Sequence, residues 1–441
     1  MVDESLLCHT LSSELCMKMT ILKTSVLALS MVVASSIPVY ADRYDRDTAH
    51  QDDSKQTNKV QLGTRPLYLV EGMDEGKLKD RLKQCENGPF YRSDFSIAHR
   101  GAALQFPEHT DVSYRAGARM GAGIVECDVT FTNDGELVCR HSECDLHTTT
   151  NIVTTELNNR CTVPWVAPGQ NPAPKCCTSD LTLSEFKSLK PKMDASDPKA
   201  VTAEAYLSGT ASWRTDLYTG NARVLSFNES IELNKSLGVK HTPELKTAEH
   251  QDRVDAIFGS QSAYAQAFID ALVNAGVKPK DVWAQSFNKD DVLYWIKHSP
   301  EFGKQAVYLD SIDPTVTPAI PRLSFNELQQ LKKQGVRIIA PPMWALLAIN
   351  PANEVVASEY AMDIKKAGLD IIAWTFERSD VRQGAAKGGW YYMFDAEGKA
   401  IKKDSDIYKA LDVLAQQVGI LGIFSDWPAT VTYYANCMGL K

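Results

Sequence analysis

Eight short apolar runs recur along the chain, at 96–101, 124–130, 239–246, 282–287, 306–310, 338–342, 371–377 and 421–426. Each has the length of a strand rather than of a helix. Helical patterns lie between several of them, as at 109–119, 226–236, 262–275 and 355–367. Parallel strands need a crossover connection, so strands alternating with helices predict a parallel sheet. Eight such units predict an α/β fold closed as a (β/α)8 TIM barrel. A ninth run, 137–141, follows the turn signal Asn133-Asp134-Gly135 and is expected to return as a hairpin beside the second strand. A doubly wound open sheet is the rival. The barrel is favoured because polar candidates sit at the ends of many strands, as a barrel mouth requires.

The densest of those candidates fall within 96–145. This stretch holds His99, Arg100, Glu126, Asp128 and His141, each in or just after an apolar run. Alternate side chains of a strand share a face, so Glu126 and Asp128 project together while Cys127 and Val129 point away. Paired carboxylates in a buried strand need a cation or donors to meet them. The same alternation pairs Glu244 with Lys246 and turns His241 to the opposite face, as a structural residue. An all-oxygen set of Glu126, Asp128 and Glu244 favours a hard divalent cation, Mg²⁺ or Ca²⁺. His99 and His141 would then be free for acid–base work on an oxyacid ester. Alternatively, both histidines join the carboxylates around Zn²⁺ or Mn²⁺, which would remove them as proton carriers.

The ordered series His99-Arg100-Gly101, Pro107-Glu108-His109-Thr110, Glu126-x-Asp128, Asp134-Gly135 and His141 resembles the glycerophosphodiester phosphodiesterase family. The likeness continues through Glu244-x-Lys246, the run AQSFN at 284–288, AWTFE at 373–377 and GIFSDWP at 422–428. It implies a barrel with an inserted subdomain, one bound cation, and hydrolysis of glycerophosphodiesters to glycerol 3-phosphate and an alcohol. It further implies that Arg100 and Lys246 hold the phosphate and that Phe287 and Trp374 wall the substrate pocket. Four positions depart from the family pattern: His109 and Glu377 stand where it has Asn, Ser142 where it has Asp, and Ser425 where it has Thr. The resemblance leaves open direct attack by water or a cyclic phosphate formed by a glycerol hydroxyl. A phospholipase of the sphingomyelinase D type, and a secreted binding protein that keeps the site unused, are the competing readings.

Upstream, Lys18 and Lys23 precede an apolar stretch from Thr24 to Val39 that ends in Val39-Tyr40-Ala41. This is the pattern of an export signal cleaved near Ala41, giving a periplasmic or secreted protein without a stable membrane anchor. Residues 42–64 are polar and read as a flexible leader, and 65–441 as the barrel. Residues 65–95 are expected to pack on the barrel without chemistry. Insertions are expected at about 142–181 and 191–224, capping the mouth. Of ten cysteines, Cys8 and Cys16 precede the cleavage site. The other eight are expected to form disulfides, several within the region of Cys144, Cys161, Cys176 and Cys177. A formal net charge of −8 gives no sign of a nucleic-acid partner. No Walker sequence, Gly-x-Ser-x-Gly elbow or His-Glu-x-x-His run is present, so those motif readings are set aside and a serine hydrolase has little support.

Overall fold

A computed structural model describes residues 60–167 and 173–440. The proposed export segment and residues 42–59 lie outside them. Eleven strands are present among the described residues: β1 (Ser93–Ala98), β2 (Ala122–Phe131), β3 (Leu137–Cys139), β4 (Lys240–Leu245), β5 (Gln285–Ser286), β6 (Val307–Leu309), β7 (Ile338–Ala340), β8 (Leu347–Ile349), β9 (Val355–Ala357), β10 (Asp370–Phe376) and β11 (Gly422–Ser425). Eight are parallel neighbours in the order β1-β11-β10-β7-β6-β5-β4-β2, and a β1–β2 pairing closes the ring. The fold is a (β/α)8 barrel. β3 runs antiparallel to β2, with Val129 opposite Cys139 and Thr130 opposite Val138, so the ninth run is the expected hairpin.

The strands are buried on both faces, as a helix-wrapped parallel barrel requires. Ile97, Ile124, Val307, Leu309, Ile338, Ala340, Ile372 and Phe424 fill the barrel interior. Val125, Cys127 and Val129 of β2 belong instead to the larger core beneath the helices. His241 lies on that outer side, buried, with Nδ1 3.5 Å from Asn234 Nδ2 on helix Phe227–Leu237.

Two local readings change. The helical pattern at 355–367 splits, because Val355–Ala357 pairs with Leu347–Ile349 as a small hairpin. The helix itself begins at Glu359, after Ser358 caps it by accepting from Ala361 N. Packing on the barrel also starts ahead of residue 65: Leu62 is buried and Gln61 N donates to Arg119 O at 2.8 Å. The apolar Leu67–Val70 lies in helix Arg65–Glu71, which buries Leu69 and Val70.

The segment between β3 and β4 has a core of its own, including Leu146, Ile152, Leu181, Phe186, Tyr206 and Val224. Disulfides Cys144–Cys177 and Cys161–Cys176 close loops within it. Cys127–Cys139 joins the two strands of the hairpin, and Cys85–Cys437 ties helix Lys77–Gln84 to the C-terminal helix Pro428–Met438.

Burial holds the His241 imidazole down to about 4, against 6.5 when exposed. A depressed histidine leaves the unfolded chain binding the extra proton, so stability is complete above about pH 6.5 and drains as pH falls toward 4. The expected loss is about 3 kcal/mol by pH 4. Denaturant unfolding of wild type and His241→Asn across pH 4–7 checks this: the variant should lack that part of the slope.

Candidate active site

The nine residues singled out from the sequence all line one cavity of about 170 Å³ at the barrel mouth, together with Leu309, Tyr391 and Phe424. Strand alternation explains the convergence. Ile124, Glu126 and Asp128 share the inner face of β2, and pairing sets Asp128 beside Glu244 and Glu244 beside Gln285. Beyond the apolar plug, the inner face changes from aliphatic to ionisable side chains as the strands reach the mouth.

One oxygen from each of Glu126, Asp128 and Glu244 lies within 4.8 Å of the others. Burial, then the charges of Asp128 and Glu244, push the Glu126 carboxyl well above the usual carboxylate range. Burial raises Glu244 to about 7. Burial opposes ionisation of Asp128 too, but Lys246, His109 and Arg100 hold it well below the usual range. Glu126 accepts from Gln285 Nε2 and from the backbone N of Arg100, both at 3.0 Å. Asp128 Oδ1 is buried without a hydrogen-bond partner among the described residues. Such an orphaned oxygen in an oxygen-only cluster fits a hard cation.

His99 follows the end of β1, with its backbone N bonded to Ser425 O at 3.0 Å. Its Nδ1 is 2.5 Å from Asp426 Oδ1, just past β11. A carboxylate there selects the tautomer with a proton on Nδ1 and leaves the Nε2 lone pair on the cavity side. Nε2 is 3.5 Å from Thr375 Oγ1 and 3.8 Å from Glu126 Oε2. Burial, then Arg100, lowers His99 to about 4, so the ring is neutral at pH 7. His141 follows the hairpin strand β3. Burial, then Arg100 and Lys246, holds it well below 6.5.

Arg100 has a left-handed backbone (φ 56°) that folds its side chain back toward β2. Its Nη1 is 2.8 Å from Glu108 and its Nε 3.4 Å from Asp128. Lys246 Nζ lies 2.6 Å from Glu244 and 5.7 Å from the centre of the Phe287 ring. Phe287 meets Trp374 edge to face at 5.8 Å. These rings and Tyr391, which meets Trp374 at 6.3 Å, give the cavity an aromatic lining.

The positions that depart from the family pattern have partners. His109 is fully buried, with Nε2 2.9 Å from Asp128 and Nδ1 3.2 Å from the Tyr114 hydroxyl. Glu377 does not line the cavity; its Oε2 accepts from Arg65 Nε at 2.8 Å. Ser142 bonds Glu249 at 2.7 Å, and Ser425 Oγ accepts from Trp427 N at 3.1 Å. Sequence reasoning did not assign roles to Glu108, Gln285, Arg378 or Asp426. Glu108 and Asp426 stand inside quoted motifs, and Gln285 alternates with Phe287, but Arg378 carries no motif signal.

Comparison with known proteins settles the family. Residues 99–430 match the glycerophosphoryl diester phosphodiesterase family. The chain belongs to this family. It is therefore a phosphodiesterase. An Arthroderma benhamiae protein named "Extracellular protein" is 42% identical over 250 residues, 56% of this chain and all of that protein. A glycerophosphodiester phosphodiesterase of Arabidopsis thaliana is 24% identical over 243 residues, covering 52% of this chain and 58% of the plant protein. A solved Silicibacter pomeroyi chain classed with the glycerophosphoryl diester phosphodiesterases shares the fold, with a TM-score of 0.51 and 17% identity. That match covers 78% of this chain and 94% of the other.

Gly101 makes the first turn possible. It has φ +98°, and a Cβ there would come within 2.6 Å of the Ser113 backbone carbon on helix Asp111–Arg119. Gly101→Ala must displace the loop carrying His99 and Arg100. The expected outcome is a loss above about 1 kcal/mol, read by thermal unfolding, with turnover falling further than stability accounts for.

Proposed function

We propose that the chain hydrolyses glycerophosphodiesters to glycerol 3-phosphate and an alcohol, using one divalent cation held by Glu126, Asp128 and Glu244. The observation that carries this reading is the shared cavity: the imidazoles of His99 and His141 line it with a buried carboxylate trio that keeps an oxygen unpartnered among the described residues. A bound Mg²⁺ or Ca²⁺ would supply Lewis-acid stabilisation of charge on the phosphoryl oxygens. Arg100 and Lys246 add fixed positive charge beside that oxygen set. His99, held through Nδ1 by Asp426, is suited to take a proton at Nε2 from the attacking hydroxyl. His141, carrying a proton once the anionic substrate is bound, gives that proton to the leaving alkoxide as the phosphorus–oxygen bond to the alcohol breaks. Arg100 and Lys246 depress the basicity of His141, and an anionic substrate lying between them offsets that effect. The aromatic wall of Phe287 and Trp374 faces the apolar part of the substrate and excludes water from the cavity.

The same reading places the protein outside the cytoplasm. Four disulfides among the described residues suit an oxidising compartment. The Arthroderma relative's name and the export pattern of residues 1–41 agree with that placement. Residues 65–441 are read as one barrel with mouth insertions at about 142–181 and 191–224.

Turnover of glycerophosphocholine and glycerophosphoethanolamine should vanish with EDTA and return with Mg²⁺ or Ca²⁺. His99→Ala and His141→Ala should each lower kcat by about 10²–10⁴-fold while bound-metal content, measured by elemental analysis, stays at the wild-type level. Loss of metal along with turnover would instead make the histidines ligands. Near-normal turnover in either variant would refute the proton-transfer roles.

A further inference from the structure

We propose that the insertion at 191–224 completes the catalytic centre: its Asp194, acting through Arg378 and Asp426, holds the His99 imidazole in its working orientation. The proposal rests on the catalytic role of His99 given above. The links are direct contacts. Asp194 Oδ2 accepts from Arg378 Nη2 at 2.9 Å. Arg378 Nη1 donates to Asp426 Oδ2 at 2.9 Å. The other oxygen of Asp426 meets His99 Nδ1 at 2.5 Å. None of Asp194, Arg378 and Asp426 lines the cavity, so they are positioning residues rather than catalytic ones.

Planar geometry makes the relay stiff. A guanidinium gripped at two nitrogens cannot turn about its own axis without breaking a charge-assisted bond. Asp194 and Asp426 grip Arg378 from opposite ends. Glu108 is the competitor, 3.5 Å from Arg378 Nη2 but already 2.8 Å from Arg100. Without Asp194, Arg378 has one strong partner left and an incentive to swing toward Glu108. That movement loosens Asp426, and with it the ring of His99.

The insertion is fixed at the same point by a second contact. Arg214 pairs with Asp194 at 2.5 Å and donates through Nη2 to the carbonyl of Ala103 at 2.5 Å. Ala103 lies two residues past Gly101, on the loop that carries His99 and Arg100. Asp194 is thus braced against the catalytic loop on one side and the β10 loop on the other.

The test uses the metal-loaded enzyme with Asp194→Ala, Asp426→Asn, the double variant and Arg378→Lys. Asp194→Ala should lower kcat by about 10-fold, the low end for partners that orient a functional histidine, with KM within about twofold. The double variant should be no slower than Asp426→Asn alone, because both act along one relay. Should Asp194→Ala fail to fold, Arg378→Lys carries the same expectation, since a lysine reaches one carboxylate only. Arg160→Ala, at an exposed ion pair in the other insertion, should leave kcat unchanged. Additive losses in the double variant, or a rise in KM with kcat intact, would overturn the relay. His99→Ala is measured alongside. If it stays active, the proposed function falls, whatever Asp194→Ala shows.

Discussion

The structure turns on negative charge placed where water is scarce. Glu126, Asp128 and Glu244 sit at the end of an apolar barrel with their oxygens within 4.8 Å of one another. Isolated, such a group would be driven to take up protons. Its neighbours supply the offset: Arg100 and Lys246 in the cavity, His109 behind Asp128, and Gln285 and the Arg100 amide on Glu126. The offset is incomplete, since Glu126 is still pushed up by burial and Asp128 Oδ1 has no partner. That residual negative charge suits a cation. One layer out, Glu108 pairs with Arg100 and Asp426 holds Nδ1 of His99, two groups that face the cavity.

Much of this was legible in the sequence, for a definite reason. Period-two alternation tells which side chains of a strand share a face, so Glu126 with Asp128 and Glu244 with Lys246 could be grouped before any coordinates. The ordered motifs added His99 and His141 at strand ends. What stayed hidden depends on rotation of side chains and on contacts between distant segments. Nothing local to Arg378 announces that it bridges Asp194 and Asp426, which are separated from it by 184 and 48 residues. Arg65 and Glu377 are 312 apart, and their pairing follows only once the barrel closes. The helical pattern at 355–367 misled at its start because Val355 and Val356, β-branched residues, found a strand partner in 347–349.

The region between β3 and β4 is more than decoration of a standard barrel. Its described residues bury an apolar cluster of their own and are cross-linked by two disulfides. Rigidity there matters because Asp194 and Arg214 meet Arg378 and the loop that carries His99 and Arg100. A loosely tethered loop could not hold a guanidinium in one rotamer.

Strand β2 also limits how a chain of this kind can change. Its inner positions carry Glu126 and Asp128, while Cys127 between them faces outward and is bonded to Cys139 of the returning strand. Adding or deleting one residue before 126 would exchange the two faces. The carboxylates would enter the apolar layer beneath the helices, and the cysteine would enter the cavity. A change of length within the strand from 122 to 128 would therefore take the chemistry out of register. The long segment with its own apolar core lies between β3 and β4, past these positions, where its length leaves the chemistry in register.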